Sequence, residues 1–311
     1  MMSKMTQRDA FFQSLYQMAK EDKNVVVVSA DMSAPALDKF REDFPTQFVN
    51  VGIAEQNAIQ IASGLAMTGK KVFAYAISPF ITLRCLEQIR VSNAIMGIPI
   101  VIVGMGTGFS YCNDGPTHHL IEDIAVMRAF PKIKIINLTD NVMAAAFATI
   151  SYKPGQTTYL RVDKDIYSDI YPIDYDFSIG IGKLHAGKNL VITTGPMTHI
   201  VRDIIQAKNL KDVGHIDLFE IPINEAPFID AIKGAKKIVT VEEHFLAGGM
   251  GSAVLEVMND NCINIPVKRI GINLKEGYKN CYVYGGRNII RSCYGIDSKS
   301  LTKKVQNYFE K

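Results

Sequence analysis

Five short runs rich in β-branched residues, NVVVVSA (24–30), KVFAYA (71–76), PIVIVG (99–104), KIKIIN (132–137) and TTYLRV (157–162), recur at helix-length intervals. No other feature restricts the fold as much. The intervening stretches 55–67, 83–95, 122–130 and 141–152 carry apolar residues at helical spacing. Strands joined through helices must run parallel, and helices then cover both faces of the sheet. The expected class is therefore α/β, with doubly wound, mostly parallel sheets. The rhythm returns after residue 180, with strands expected at 189–194, 215–218, 236–241 and 266–270. Helices are expected there at 197–208, 226–233 and 251–258. Between the halves, DKDIYSDIYPIDYDFSIG (163–180) shows neither period, and Tyr167, Tyr171 and Tyr175 could anchor it through ring burial. The expected organisation is a domain at 1–165, a linker at 166–180 and a second domain at 181–311, and a chain of 311 residues suits two domains.

Charge and composition narrow the function. A net charge of +3 spread over 34 basic and 31 acidic residues leaves no basic stripe, so nucleic acid is not an expected partner. Charges interrupt every apolar stretch of MMSKMTQRDAFFQSLYQMAKEDK, which predicts an amphipathic first helix and not a signal peptide. The apolar run near 94–103 is broken by Gly97 and Pro99, so no membrane segment is expected. Five scattered cysteines (Cys85, Cys112, Cys262, Cys281, Cys293) form no CxxC pair, and a reduced, cytoplasmic setting is the simplest expectation.

Open parallel sheets gather ligands at the carboxyl ends of their strands, which singles out the loops near 31–35, 50–57, 76–80, 104–119 and 161–164. Glu55 opens a helix, where the dipole favours a carboxylate whether or not it has a chemical role. The loop GMGTGFSYCNDGPTHHL (104–120) combines glycines, an acid and adjacent histidines, the mixture of mobile backbone and protonatable groups that a polar substrate site requires. Its GxGxG lacks the dinucleotide spacing, and the glycines 248, 249 and 251 miss it too.

VGIAEQN (51–57), KKVFAYAISPF (70–80), RCLEQIR (84–90) and DGPTHHLIEDIAVMRAFP (114–131) together resemble the pyrimidine-binding domain of transketolases. VEEHFLAGGMGSAVLE (241–256) is similar to the C-terminal domain of the same family. The resemblance implies that Glu55 hydrogen-bonds the pyrimidine of thiamine diphosphate and promotes its imino tautomer, for which burial of a carboxyl is favourable. It further implies that Phe80 stacks on that ring and that Ile77 and Leu83 stand where relatives carry aromatics. Asp114 and His118 match residues that contact donor hydroxyls and the reacting carbonyl oxygen, so His118 is expected to act in catalysis alongside Glu55. His119 stands where a glutamine is common, either as an altered substrate contact or as a surface histidine. Sugar-phosphate members grip the phosphate with an arginine near the end of the strand 157–162, where Arg161 and Lys164 lie, and with a serine for which Ser33 could substitute at a shifted distance. Lys164 takes the arginine's place and Pro35 the serine's, departures that leave phosphate recognition open and put an unusual or nucleotide-linked sugar among the substrates.

The diphosphate half of such a site needs a metal held by a GDG motif and a later asparagine. Asn113-Asp114-Gly115 with Asn141 imitates that spacing, but DGPTHH fits the substrate loop better, so no metal ligand is assigned to this chain. The resemblance thus implies a split transketolase in which an N-terminal subunit supplies the diphosphate and Mg2+ site, in an α2β2 assembly with self-association of this chain. The implied reaction moves a two-carbon ketol unit from a ketose, free or phosphorylated, to an aldehyde. The alternatives are a deoxyxylulose-phosphate-synthase-like enzyme, the β subunit of a 2-oxo-acid dehydrogenase, or a non-catalytic assembly subunit.

Overall fold

The computed structural model describes residues 5–32, 34–210 and 212–310. The chain divides into two compact units. One comprises the residues through Thr107 together with Val126–Tyr175; the other joins Gly108–Ala125 to the residues from Asp176 onward. The segment 108–125 thus belongs with the second unit although it lies inside residues 1–165.

In the first unit, strands β1 (Val25–Ser29), β2 (Phe48–Asn50), β3 (Lys71–Ile77), β4 (Val101–Met105), β5 (Ile133–Asn137) and β6 (Thr157–Val162) lie in the order β5-β6-β4-β3-β1-β2. Neighbours in that order are parallel. Every residue of β1, β4 and β6 is buried, as a sheet covered on both faces requires. The amphipathic N-terminal helix, Gln7–Glu21, begins at Thr6, whose hydroxyl accepts the Asp9 N–H. It buries Phe11, Phe12 and Leu15 completely, and Phe12 meets Tyr75 of β3 edge-on at 4.7 Å. Each such ring contributes roughly 1.5–3 kcal/mol by leaving water.

The helix expected at 83–95 is broken. Turns occupy 82–85, a single helical turn runs Leu86–Gln88, and Ile89–Ile95 is wound as a π-helix. The Ser92 hydroxyl to Gln60 Oε1 (3.2 Å) and Asn93 Nδ2 to Ser63 Oγ (3.2 Å) tie this wider turn to the helix Glu55–Met67. Side-chain bonding of this kind can favour a winding that backbone periodicity does not announce. The helix expected at 122–130 is confined to Asp123–Met127.

The second unit contains β7 (Ile181–His185), β8 (Asn189–Thr193), β9 (Val213–Leu218), the two-residue β10 (Glu220–Ile221), β11 (Lys237–Phe245) and β12 (Val267–Ile272). Its five-stranded sheet has the order β12-β11-β8-β9-β7. All neighbours are parallel except the edge strand β7, which is antiparallel to β9. Sequence reasoning did not assign β7, because at an edge its burial fades after two residues and the apolar signal is short. Beyond β12, helices Arg287–Cys293 and Ser298–Phe309 close the unit, with Ile290, Tyr294, Ile296 and Leu301 packed into a core that also takes Phe109 and Ile121 from the inserted segment.

Candidate active site

In the first unit, β2 leads through Gly52 into the helix Glu55–Met67. Ala54, at the cap position, has no side-chain oxygen for the free N–H groups, and Glu55 is the acid of the first turn, where the helix dipole favours a carboxylate. Glu55 is only 4% exposed. Its Oε2 accepts from Arg84 Nη1 at 2.6 Å, and the Arg84 guanidinium carbon lies 4.3 Å from the centre of the Phe80 ring. A planar cation therefore stacks on the aromatic and donates to the acid at once. Gln56 Nε2 donates to the Arg84 carbonyl (3.1 Å), so the first turn of one helix grips Arg84 at backbone and side chain. The Cys85 thiol donates to the Phe80 carbonyl (3.2 Å) and closes the turn that presents the ring. Burial, with the Glu55 charge, pushes the Cys85 thiol up to about 12, against the opposing pull of Arg84, so it is a structural donor and not a nucleophile at neutral pH. Ile77 ends β3 and Leu83 lies in the following turn, both half-buried.

The loop of the second unit is pinched at its base, where Gly108 and Leu120 exchange two backbone hydrogen bonds of 2.9 Å. A side chain at Gly108 (φ +56) would meet the Glu243 carboxyl carbon at 2.7 Å, so only glycine fits. Asp114 is exposed and His118 half-buried, with Thr117 Oγ1 3.1 Å from His118 Nδ1 and the Tyr111 ring 5.9 Å from the His118 ring. Two turns, Asp114 N–H to Tyr111 O and His118 N–H to Gly115 O, shape the tip. His119 is 4% exposed and meets Phe109 edge-on at 5.1 Å; of its two expected places, surface and substrate contact, the surface is excluded. Neither of its ring nitrogens finds a partner in hydrogen-bonding geometry. Burial lowers its pKa, with Glu243 and the Tyr111 backbone opposing, so the imidazole is neutral.

Arg161, at the end of β6, is 3% exposed and engaged within the protein, and Lys164 just beyond it is half-buried and likewise engaged. Ser33 lies outside the described residues. Asn141 begins a helix of the first unit and donates to the Met5 carbonyl at 2.9 Å. Among the described residues no group of three His, Cys, Asp or Glu side chains could hold a metal ion, and no helix is long and apolar enough to cross a membrane.

A family model described as the transketolase pyrimidine-binding domain matches residues 3–168, and one described as the transketolase C-terminal domain matches residues 183–279. The chain belongs to the transketolase family. Among transketolase relatives, the chain is 32% identical to a subunit of the apulose-4-phosphate transketolase of Phocaeicola vulgatus, over 98% of this chain and 97% of that protein. It is 34% identical to a putative transketolase C-terminal section of Methanocaldococcus jannaschii, over 98% and 96% of the two. A solved split gene transketolase, described as an inactive beta4 tetramer, superposes with a TM-score of 0.86 at 26% identity, covering 97% of this chain and 98% of that one.

Sequence reasoning missed Arg84, although it opens the RCLEQIR segment, because an exposed helix arginine looks ordinary. It also missed Glu243, Arg287 and Arg291. Glu243 sits inside the VEEHF run, and its two arginine partners lie 44 and 48 residues away.

Proposed function

We propose that this chain is the pyrimidine-binding and C-terminal subunit of a split transketolase that moves a two-carbon ketol unit from a ketose to an aldehyde. The observation that carries the reading is the Glu55–Arg84–Phe80 cluster. There a flat N–H donor stacks on an aromatic ring while donating to a buried carboxyl, and the guanidinium stands in for the face and edge of an aminopyrimidine. The residues fit the pyrimidine end of thiamine diphosphate. When bound, that cofactor supplies the electron sink that holds the two-carbon unit between donor and acceptor.

In this reading Glu55 would exchange Arg84 for the pyrimidine edge as its hydrogen-bond partner, taking up a proton from water as the guanidinium leaves, and would share that proton with the ring. Phe80 provides the stacking face, and Ile77 and Leu83 line an aliphatic edge of the same pocket. Asp114 orients donor hydroxyls, and His118, paired with Thr117, holds or returns the proton at the reacting carbonyl oxygen. His119, neutral and short of partners, shapes the loop beneath them. The substrate is a sugar or sugar phosphate, with Arg161 and Lys164 as the candidate cations for a phosphate.

The diphosphate and Mg2+ are held by a separate N-terminal subunit in an α2β2 complex. Relatives of nearly the same length are named as subunits or sections, which supports this division of labour. The beta4 description of the similar structure supports an inactive homo-oligomer in the absence of the partner. Five free cysteines accord with a cytoplasmic setting. The test is reconstitution of this chain with its diphosphate-binding subunit, thiamine diphosphate and Mg2+, assayed with ketose donors and with pyruvate. Turnover of a ketose by the mixture and not by the chain alone is expected. Decarboxylation of pyruvate in place of ketol transfer would reject the reading.

A further inference from the structure

The inserted segment 108–125 is bonded to the rest of the second unit at its entry and its exit. At the entry, the Phe109 N–H donates to Glu243 Oε1 (3.1 Å), and the Phe109 ring stacks on Tyr294 at 5.5 Å and 9°. Glu243 is itself clamped by two guanidinium forks. Arg287 donates to its two oxygens at 3.1 and 2.8 Å, Arg291 at 3.3 and 2.7 Å. Both arginines come from the helix Arg287–Cys293, beyond the end of the C-terminal family model at residue 279. Burial pushes the Glu243 carboxyl up, but Arg287 and Arg291 outweigh it and hold it down at about 2, so the anchor stays charged at any working pH.

At the exit, the Phe245 N–H donates to the Ile121 carbonyl (2.7 Å), and His244 Nε2 accepts the Ile124 N–H (3.2 Å) while its Nδ1 donates to the Phe245 carbonyl (2.7 Å). Tyr278 Oη donates to Glu122 Oε1 at 2.8 Å. At the tip, the Tyr284 hydroxyl stands 3.3 Å from where a side chain on Gly115, next to Asp114, would begin. Consecutive residues of one strand, Glu243, His244 and Phe245, thus hold both limbs of an eleven-residue excursion that carries Asp114 and His118.

We infer that the C-terminal unit is the positioning element of the substrate loop: Glu243, clamped by Arg287 and Arg291, and Tyr278 fix the limbs and thereby the spacing of Asp114 and His118. The inference rests on the proposed substrate role of those two residues. A loop left to itself would spread over many conformers, and a small displacement of substrate-contacting groups lowers turnover severely. Binding two arginines and a backbone N–H to one carboxylate removes that freedom where glycines would otherwise permit it.

Two variants test the anchor, measured in the chain and in the complex reconstituted with the diphosphate-binding subunit. Arg291→Met leaves Arg287 on Glu243, and Tyr278→Phe removes one exposed hydroxyl and cannot unfold the unit. In Arg291→Met, amide exchange over 109–119 should accelerate roughly tenfold with the helix Glu55–Met67 unchanged. In the complex, kcat/KM for the ketose should fall about tenfold while the affinity for thiamine diphosphate stays within about twofold. Arg291→Lys should recover part of the loss, and Tyr278→Phe should show the same pattern at about two- to threefold. Unchanged loop exchange overturns the inference, and so does faster exchange with unchanged kcat/KM. If Arg291→Met does not fold, Tyr278→Phe decides alone by the same criteria. Asp114→Asn is assayed alongside: if it leaves kcat/KM unaltered, the substrate role of the loop has failed, and the exchange data show separately whether the anchor exists.

Discussion

Glu55 in the first unit and Glu243 in the second are both buried carboxylates bound to arginine, and the two are held very differently. Glu55, 4% exposed, receives one hydrogen bond from a guanidinium whose side chain is 44% exposed. Glu243, 7% exposed, receives four from two guanidiniums that are each 8% exposed, and a fifth from a backbone N–H. A pair open to water on one side contributes little and is readily exchanged for another partner. A fully enclosed, multiply bonded carboxylate is costly to break because a lone buried charge is left behind. The first arrangement suits an acid that must change partners during a cycle, the second a joint that must not move.

The largest effect that could break this contrast comes from Glu55→Gln. In the reconstituted complex it should lower turnover by at least about a thousandfold, or some 4 kcal/mol, with the fold intact. Near-normal turnover would make Glu55 a mere helix-start residue. Next, Glu243→Ala should cost about 3–5 kcal/mol of stability by denaturant unfolding, since it strands two buried guanidiniums. A cost below about 1 kcal/mol would put Glu243 in the same class as Glu55.

Acid should separate the units as well. His215, in the second unit, is lowered to about 3, first by burial and then by the charges of Arg202, His185 and His199. It donates to or accepts from Thr193 Oγ1 at 2.8 Å. Between pH 6.5 and 3 the unfolded chain binds a proton here that the folded chain does not. The stability from neutral His215 is therefore complete above pH 6.5 and is lost as pH falls toward 3, by on the order of 5 kcal/mol. His215→Gln should flatten that part of the stability–pH curve, measured by thermal melts; an unchanged slope would assign the acid sensitivity to other groups. The smallest effect is expected from Arg84→Met, which should change stability by under about 1 kcal/mol. It should tighten thiamine diphosphate binding about two- to fivefold, because the cofactor no longer displaces a cation from Phe80 and Glu55. Weaker binding would instead make Arg84 part of the site.

The α/β class, the parallel strands and the two-part organisation were legible in the alternation of β-branched and helical runs, because burial of both sheet faces writes a continuous apolar pattern into each strand. Glu55 and Phe80 were singled out as candidates only through the family motif, since a glutamate at a helix start has an ordinary explanation. The π-helix at Ile89–Ile95 was not legible, as its apolar spacing over seven residues is close to that of an α-helix and its stabilising bonds come from Gln60 and Ser63.

The sequence by itself determined which segments become strands and helices, and it placed a carboxyl, an aromatic ring and a histidine-bearing loop at the ends of strands. Periodicity and helix-end electrostatics are local, so a window of a dozen residues contains them. Only the tertiary structure decided that Arg84 bridges Glu55 and Phe80, that His119 is interior, and that the loop 108–125 belongs to the second unit. Those outcomes depend on pairings over tens to more than a hundred residues of chain, from Glu55–Arg84 to Phe109–Glu243, where the partner of a charge is chosen by shared burial and not by spacing.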